Sequence, residues 1–120
     1  YGKFHVVQKL CLNTPSDAQT KWLRRALSAN RAPYLLLTTS LPQADELDSA
    51  LKDASFQLVR RSGFMASDCV ETPLKKKTQY ALAAGSVLRH SYQGALYDVS
   101  LTDAHPAYRY SKPILMGVTL

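Results

Sequence analysis

Apolar positions in this chain follow two periods, one of about 3.6 residues and one of two residues, which are typical of helices and strands. The helical period is most regular across residues 45–64, where acidic residues come first and Arg60 and Arg61 come last, as the helix dipole favours. Gly63 can adopt the left-handed conformation that ends a helix, and Phe64 can fold back on the last turn. The sequence therefore predicts an amphipathic helix here. Its apolar positions are Leu47, Ala50, Leu51, Ala54 and Leu58.

A second helix is predicted after Thr14, which can cap it, with Pro15 at the first helical position. The apolar face of this helix consists of Ala18, Trp22, Ala26 and Leu27. Strand-like patterns cover residues 2–12, 34–39, 65–70, 86–92 and 95–101, and residues 80–84 fit either a helix or a strand. The order of strand, helix, strand, helix and several strands predicts an α+β fold, with two helices packed on a small, mostly antiparallel sheet.

Length and composition indicate one globular domain spanning residues 1–120, which is long enough to bury a core. Hydrophobic residues make up 46% of the chain and charged residues 20%, which is ordinary for a soluble protein. No apolar run approaches the roughly 18 residues that a membrane-spanning helix requires.

The chain is moderately basic, with a formal net charge of +6, which is compatible with nucleic acid, an anionic membrane surface or an acidic protein partner. The cations singled out are Arg24, Arg25, Arg31, Arg60, Arg61, Lys75, Lys76 and Lys77. The tyrosines that could stack on bases are Tyr80, Tyr92, Tyr97, Tyr108 and Tyr110. The ordered aromatic motif of an RNA-recognition domain is missing. A basic α+β domain that binds nucleic acid is therefore the alternative hypothesis.

The two cysteines, Cys11 and Cys69, do not have the spacing of a zinc site or a redox motif. Three interpretations remain open from the residues alone. The cysteines are two separately buried thiols, a disulfide in an oxidising compartment, or include a catalytic thiol. The third interpretation is the weakest because no histidine lies in a recognisable partner motif.

The acidic residues of the predicted helix, Asp45, Glu46, Asp48 and Asp53, fit a solvated face better than a facing acid–base pair. Asp103 and His105 could begin a metal site, but no third ligand follows at a useful spacing. Asp98, Ser100 and His105 are close in sequence without the geometry of a relay, and no nucleophile elbow or phosphate-binding glycine loop is present. The sequence therefore predicts that the chain is not an enzyme and binds no metal or cofactor. A third hypothesis is a small enzyme whose active site cannot be recognised from one sequence.

Several short segments resemble PilL-type proteins of the conjugative type IV pilus systems of integrating elements. The opening residues 1–7 are similar to the Tyr-Gly-Arg-Tyr-x-x-Val start of that family, and residues 58–64 are similar to its helix end of Arg-Ser-Gly-aromatic. Residues 96–101, with Ala104, His105 and Tyr108 after them, are similar to its Leu-Tyr strand and the step that follows.

This resemblance implies a secretin N-terminal-domain-like fold and a periplasmic protein associated with the outer membrane. It also implies a non-enzymatic domain that docks to a secretin or other envelope component of a pilus or secretion assembly. The docking surface is then expected at Arg60, Arg61, Lys75, Lys76 and Lys77. An oxidising periplasm favours the disulfide between Cys11 and Cys69.

Overall fold

The computed structural model describes residues 18–28, 31–65, 72–102 and 106–118, and these ranges contain two helices and nine short strands. The helices are α1 (Ala18–Ser28) and α2 (Leu47–Leu51). The strands are β1 (Tyr34–Leu36), β2 (Leu58–Arg61), β3 (Phe64–Met65), β4 (Leu74–Lys75), β5 (Gln79–Leu82), β6 (Val87–Leu88), β7 (Leu96–Asp98), β8 (Tyr108–Tyr110) and β9 (Leu115–Gly117).

The core lies around a three-stranded antiparallel sheet in which β1 is the centre, between β6 and β9. Tyr34 pairs with Leu88 on one side, and Leu36 pairs with Leu115 on the other. Leu36 and Leu88 are completely buried because they lie on the same side of this sheet as the short helix α2. The core residues are Tyr34, Leu36, Ala50, Leu82, Leu88 and Tyr92.

The long helix predicted across residues 45–64 is wrong, since α2 ends at Leu51 after little more than one turn. Lys52 is extended, and Asp53 has a φ of +54°, so the helical hydrogen bonding cannot continue. The chain then forms an isolated bridge from Ser55 to Val87 before it enters β2. Leu58, taken as part of the apolar helix face, is instead 59% exposed on a strand.

Strands β2 and β5, and strands β3 and β4, form two antiparallel pairs that continue one another. We call residues 58–65 and 74–82 together the ribbon. Arg61 pairs with Gln79, and Phe64 pairs with Lys75, so three steps along one strand correspond to four steps along the other. This extra residue is a β-bulge, which bends a ribbon and increases its twist.

Strands β7 and β8 form a separate antiparallel pair, which we call the hairpin. The amide N–H of Lys77, beside the bulge, donates to the carbonyl oxygen of Val99 at the end of the hairpin, at 2.7 Å. At its other end the hairpin is tied to the core loops, where Leu41 N–H donates to Ser111 O at 3.1 Å. The hairpin therefore joins the ribbon to the core sheet.

The prediction of two helices packed on a sheet in a secretin-like fold is wrong. The described residues form small antiparallel sheets, and the helices are short. Helix α1, the helix expected after Thr14, contacts β9, yet Trp22 of its apolar face is 61% exposed. Strand pairing between distant segments dominates because residues 58–61 find partners at residues 79–82. The strand predicted at residues 2–12 lies outside the described ranges.

Within the described ranges, no helix combines the length and the apolar character needed to cross a membrane.

Candidate functional site

The ribbon exposes two aromatic rings, each directly opposite a cation. Arg60 pairs across the strands with Tyr80, and Phe64 pairs with Lys75. Phe64 is 66% exposed and Tyr80 is 59% exposed, and both cations are exposed as well. Directly opposite residues have their Cβ atoms about 4.5–5.5 Å apart, so each ring has a positive charge within reach.

The two ring–cation pairs lie on either side of the bulge. Two residues separate β2 from β3, whereas three residues separate β4 from β5. Gly63 at the bulge has a φ of +143°, and its carbonyl oxygen accepts a hydrogen bond from the Lys76 amide at 2.8 Å. Arg60, Phe64, Lys75 and Tyr80 are all exposed. We call the surface that these four residues form the exposed face of the ribbon.

The hairpin supports the ribbon from the other face. The guanidinium of Arg109 donates through Nη1 to the backbone oxygen of Arg61 at 3.2 Å and to Oε1 of Gln79 at 3.1 Å. Gln79 precedes Tyr80 in the strand, so its side chain points away from the exposed rings. Arg109 thus contacts the reverse face of the ribbon next to the bulge. Its two hydrogen bonds do not involve the side chains of Arg60, Phe64, Lys75 or Tyr80.

The hairpin has an exposed aromatic face of its own. Tyr108 and Tyr110 are 69% and 67% exposed, and their cross-strand partners are Asp98 and Leu96. Asp98 accepts hydrogen bonds from the Ser100 hydroxyl at 2.6 Å and the Ser100 amide at 2.9 Å, which hold the pKa of its carboxyl below the ordinary value. The cross-strand partners of these two rings are therefore an anion and an aliphatic side chain. The charge of Lys77 also acts on Asp98 and contributes to the lowering of its pKa.

Glu46, at the start of α2, clamps two loops together. Its carboxylate accepts hydrogen bonds from the amides of Gln43 at 2.9 Å, Gln93 at 2.8 Å and Gly94 at 3.1 Å. Partial burial raises the pKa of this carboxyl, but the three N–H donors outweigh it and the net pKa is lowered. The loop before the hairpin is thereby fixed to the core.

Gly94 in that loop has no room for a side chain. Its φ is +60°, and a Cβ atom there would lie 2.5 Å from the carbonyl oxygen of Ser111. Leu41 O would lie 3.0 Å away on another side. Glycine is required at this position both by its conformation and by the close approach of the backbone.

Two of the tyrosines considered for base stacking are structural instead. Tyr92 is buried, and its hydroxyl is hydrogen bonded to that of Ser40, with burial raising its pKa. Tyr97 is half-buried and donates to the carbonyl oxygen of Pro42 at 2.7 Å. Burial also raises the pKa of Tyr97. Neither ring offers a free face, so the exposed candidates reduce to Tyr80, Tyr108 and Tyr110.

The five cations predicted as a docking surface all lie on the ribbon or its bulge, but they do not form one patch. Arg60 and Lys75 share the exposed face. Arg61 is next to Arg60 in β2, so its side chain points to the other face of the strand. It donates through Nη2 to the hydroxyl of Thr39 at 3.2 Å. Lys76 is half-buried, and Lys77 is exposed at the bulge. Their use in docking stays a prediction.

The other candidate sites do not come together in the described part of the chain. Cys11, Cys69, Asp103 and His105 lie outside the described ranges, so the disulfide, metal and triad hypotheses stay untested. Among described residues no three His, Cys, Asp or Glu side chains are grouped as metal ligands. Asp98 and Ser100 are hydrogen bonded to each other in a local turn.

Sequence reasoning missed Phe64, Arg109 and the structural use of Glu46. The sequence places Phe64 at a helix end, and residues 58–64 do not show the alternation of apolar and polar positions that would reveal a strand. The partners of Arg109 are 30 and 48 residues away, and no local pattern reveals them.

Comparison with known proteins identifies related sequences. The sequence profile of the family described as the CRISPR Csm4 C-terminal domain matches residues 29–118. Two Mycobacterium tuberculosis proteins, from strains CDC 1551 / Oshkosh and ATCC 25618 / H37Rv, are each named "CRISPR system Cms protein Csm4" and are 45% identical over 92 residues. These matches cover 76% of this chain and 30% of each relative. A Streptococcus thermophilus protein of the same name is 33% identical over 79 residues, covering 65% of this chain and 26% of the relative.

These matches overturn the resemblance to PilL-type proteins, because they extend over most of the chain rather than over a few short segments. The pilus, conjugation and secretin functions inferred from that resemblance are wrong as well. The periplasmic location had no other support and stays untested. The chain spans about 30% of the length of the Mycobacterium tuberculosis relatives.

Proposed function

Since the chain belongs to the family of CRISPR Csm4 C-terminal domains, we propose that it binds RNA, without catalysis, as part of a CRISPR complex with several protein subunits. The nucleic acid in such a complex is the guide RNA or its target. The nucleic-acid-binding alternative that charge and tyrosine content raised is thus the hypothesis that we develop.

The observation that carries this proposal is the exposed face of the ribbon, where cations and aromatic rings are paired. Phosphates attract the cations, and bases stack on rings, which is the combination that proteins use to bind single strands. None of residues 58–65 or 74–82 is acidic, so no carboxylate of the ribbon repels a phosphate backbone. The net charge of +6 adds a weaker long-range attraction.

A binding role rather than a catalytic one also fits the use of the perturbed carboxylates. Glu46 and Asp98 have lowered pKa values because backbone or hydroxyl donors hold them in turns and loops. A general acid or base needs a pKa nearer to neutrality than these carboxylates have. We therefore propose that both groups stabilise the fold and do not react.

The test is binding of a fluorescent single-stranded RNA on the order of ten nucleotides long, followed by anisotropy at several salt concentrations. We expect the logarithm of the binding constant to fall linearly with the logarithm of salt, by about 0.7 for each phosphate neutralised on a single strand. Absence of binding at low salt contradicts the proposal. The matched control is an RNA hairpin of the same composition, which hides its bases.

A further inference from the structure

We infer that the exposed face of the ribbon binds single-stranded RNA by stacking two non-adjacent bases, one on Phe64 and one on Tyr80, while Arg60 and Lys75 contact the phosphates. This inference rests on the proposed function and names the surface and the mode of binding. It requires an RNA whose bases are unpaired, because a duplex offers no free base faces along its length.

Both rings of the exposed face are open to solvent. Phe64 and Tyr80 are 66% and 59% exposed. Tyr80 lies on the pair of β2 and β5, which Arg109 holds from its other face, and Phe64 lies on the adjoining pair of β3 and β4. An exposed aromatic ring on a braced strand pair is a platform that loses little freedom on binding. Every base has a flat face, so such a platform is tolerant of sequence.

The two rings are several residues apart along the ribbon. Arg60, opposite Tyr80, is four residues from Phe64, which corresponds to at most about 13 Å at about 3.3 Å per residue because β2 ends at Arg61 and β3 begins at Phe64. Stacked bases of one strand are about 3.4 Å apart. The two rings therefore cannot hold neighbouring bases. They bracket a segment of about three to five nucleotides, the number depending on how extended its backbone is.

The two cations lie on different strands of the ribbon, one across from each ring. Arg60 lies on the strand opposite Tyr80, and Lys75 lies on the strand opposite Phe64, so the positive charges alternate between the two sides of the ribbon. A backbone that crosses from one ring to the other passes a cation at each end. Guanidinium and ammonium groups form short, charge-assisted hydrogen bonds to phosphate oxygens.

The hairpin provides a matched control on the same molecule. Tyr108 and Tyr110 are as exposed as the ribbon rings, but Asp98 and Leu96 are their partners. An anion beside a ring repels the phosphate of a base stacked there. Neither ring of the hairpin has a cation directly across the strand pair, which is the charge pattern on which the inference depends.

The experiment measures anisotropy of the 120-residue chain with single-stranded oligouridine of increasing length. We expect Phe64→Ala and Tyr80→Ala each to weaken binding by about 5- to 150-fold, with little change in the salt dependence. Arg60→Gln and Lys75→Gln each lower the salt slope by about 0.7. Phe64→Tyr and Tyr80→Phe retain the rings and bind as the unaltered chain does. RNAs shorter than about three nucleotides lose the difference between one ring and two.

Tyr108→Ala and Tyr110→Ala are the controls and leave the affinity unchanged. Circular dichroism and thermal unfolding establish that each variant is folded. If the unaltered chain binds RNA and the Phe64 and Tyr80 variants bind equally well, this inference is overturned and the proposed function stands. If the unaltered chain binds no RNA, both are overturned. Loss of a protein partner with RNA affinity intact identifies the face as a protein interface and also overturns the inference.

Discussion

The ribbon and the hairpin each expose two aromatic rings on a two-stranded antiparallel element, and they differ in what lies beside those rings. Tyr80 and Phe64 on the ribbon face Arg60 and Lys75, whereas Tyr110 and Tyr108 on the hairpin face Leu96 and Asp98. The number of exposed rings is therefore a poor guide to nucleic-acid binding. The residue directly across the strand pair decides whether a ring is placed next to phosphate or away from it.

The two elements also depend on each other. Arg109 of the hairpin donates hydrogen bonds to Arg61 O and Gln79 Oε1 of the ribbon, so this side chain joins the two elements. A change at the base of the hairpin can therefore reach the ribbon without altering any of its residues.

The largest expected effect comes from Gly94→Ala, which tests whether the hairpin can be dislodged while the ribbon is kept. The new Cβ atom would approach Ser111 O to 2.5 Å in a left-handed conformation, so we expect a loss of about 3 kcal/mol or more in the free energy of unfolding. Urea denaturation measures this loss. Gly85→Ala is the control, because Gly85 has a φ of +91° but nothing within 4 Å, and conformational strain alone costs about 1–2 kcal/mol. Equal losses at the two positions would contradict the close-contact argument.

The second prediction removes the difference in charge from the ribbon side. Arg60→Glu places an anion opposite Tyr80, as Asp98 is opposite Tyr108, and we expect RNA affinity to fall on the order of tenfold at low salt. Lys21→Glu on α1 changes the net charge equally and is the control. A similar fall in both variants would mean that total charge, rather than this face, governs binding.

The third prediction removes the difference from the hairpin side. Leu96→Arg places a cation opposite Tyr110, which copies the relation of Arg60 to Tyr80. We expect a gain in RNA affinity of about two- to fivefold, with a steeper salt dependence. Leu96→Gln, which is polar without charge, leaves the affinity unchanged. If Leu96→Gln gives the same gain, charge is not what separates the two faces.

The smallest effect concerns pH and the clamp beneath the hairpin. The pKa of Glu46 is lower in the folded chain than in the unfolded chain, so its contribution to stability is complete at neutral pH. It is lost as the pH falls through the unfolded value and then the folded pKa. We expect the Tm of Glu46→Gln to lie a few degrees or less below that of the unaltered chain at pH 7, with the difference closing in acid. Asp98→Asn should behave in the same sense, since the pKa of Asp98 is also lowered. A difference that widens in acid would contradict the assignment.

Local pattern was enough to predict some elements of this fold. Helix α1 and strands β1 and β7 occur where the sequence predicted a helix and strands, although the strands are shorter. The helix across residues 45–64 failed because an i, i+3, i+4 pattern of apolar residues is not sufficient evidence once a distant strand is available for pairing. The helix ends at Leu51, since Lys52 is extended and Asp53 is left-handed, and neither residue is as clear a stop signal in a sequence as glycine.

The candidate site was only half visible in the sequence. Charge alone selected Arg60 and Lys75, and tyrosine content selected Tyr80. What could not be predicted is that Arg60 is opposite Tyr80 and Phe64 is opposite Lys75, because register between distant strands depends on tertiary contacts. Glu46 was taken as a solvated carboxylate since its three amide donors come from two separate loops.

Because of the bulge between the two ribbon pairs, the composition of the exposed face depends on how many residues lie between β4 and β5. Deletion of Lys77 would leave equal numbers of residues on the two strands between the Arg61–Gln79 and Phe64–Lys75 pairs, and would change the side to which Lys75 points relative to Tyr80. Every side chain named in the inference would still be present, and the composition of the ribbon would hardly change. Relatives with and without the extra residue would thus have nearly the same sequence but expose different side chains. The length of this segment is therefore a better guide to the exposed surface than its sequence identity.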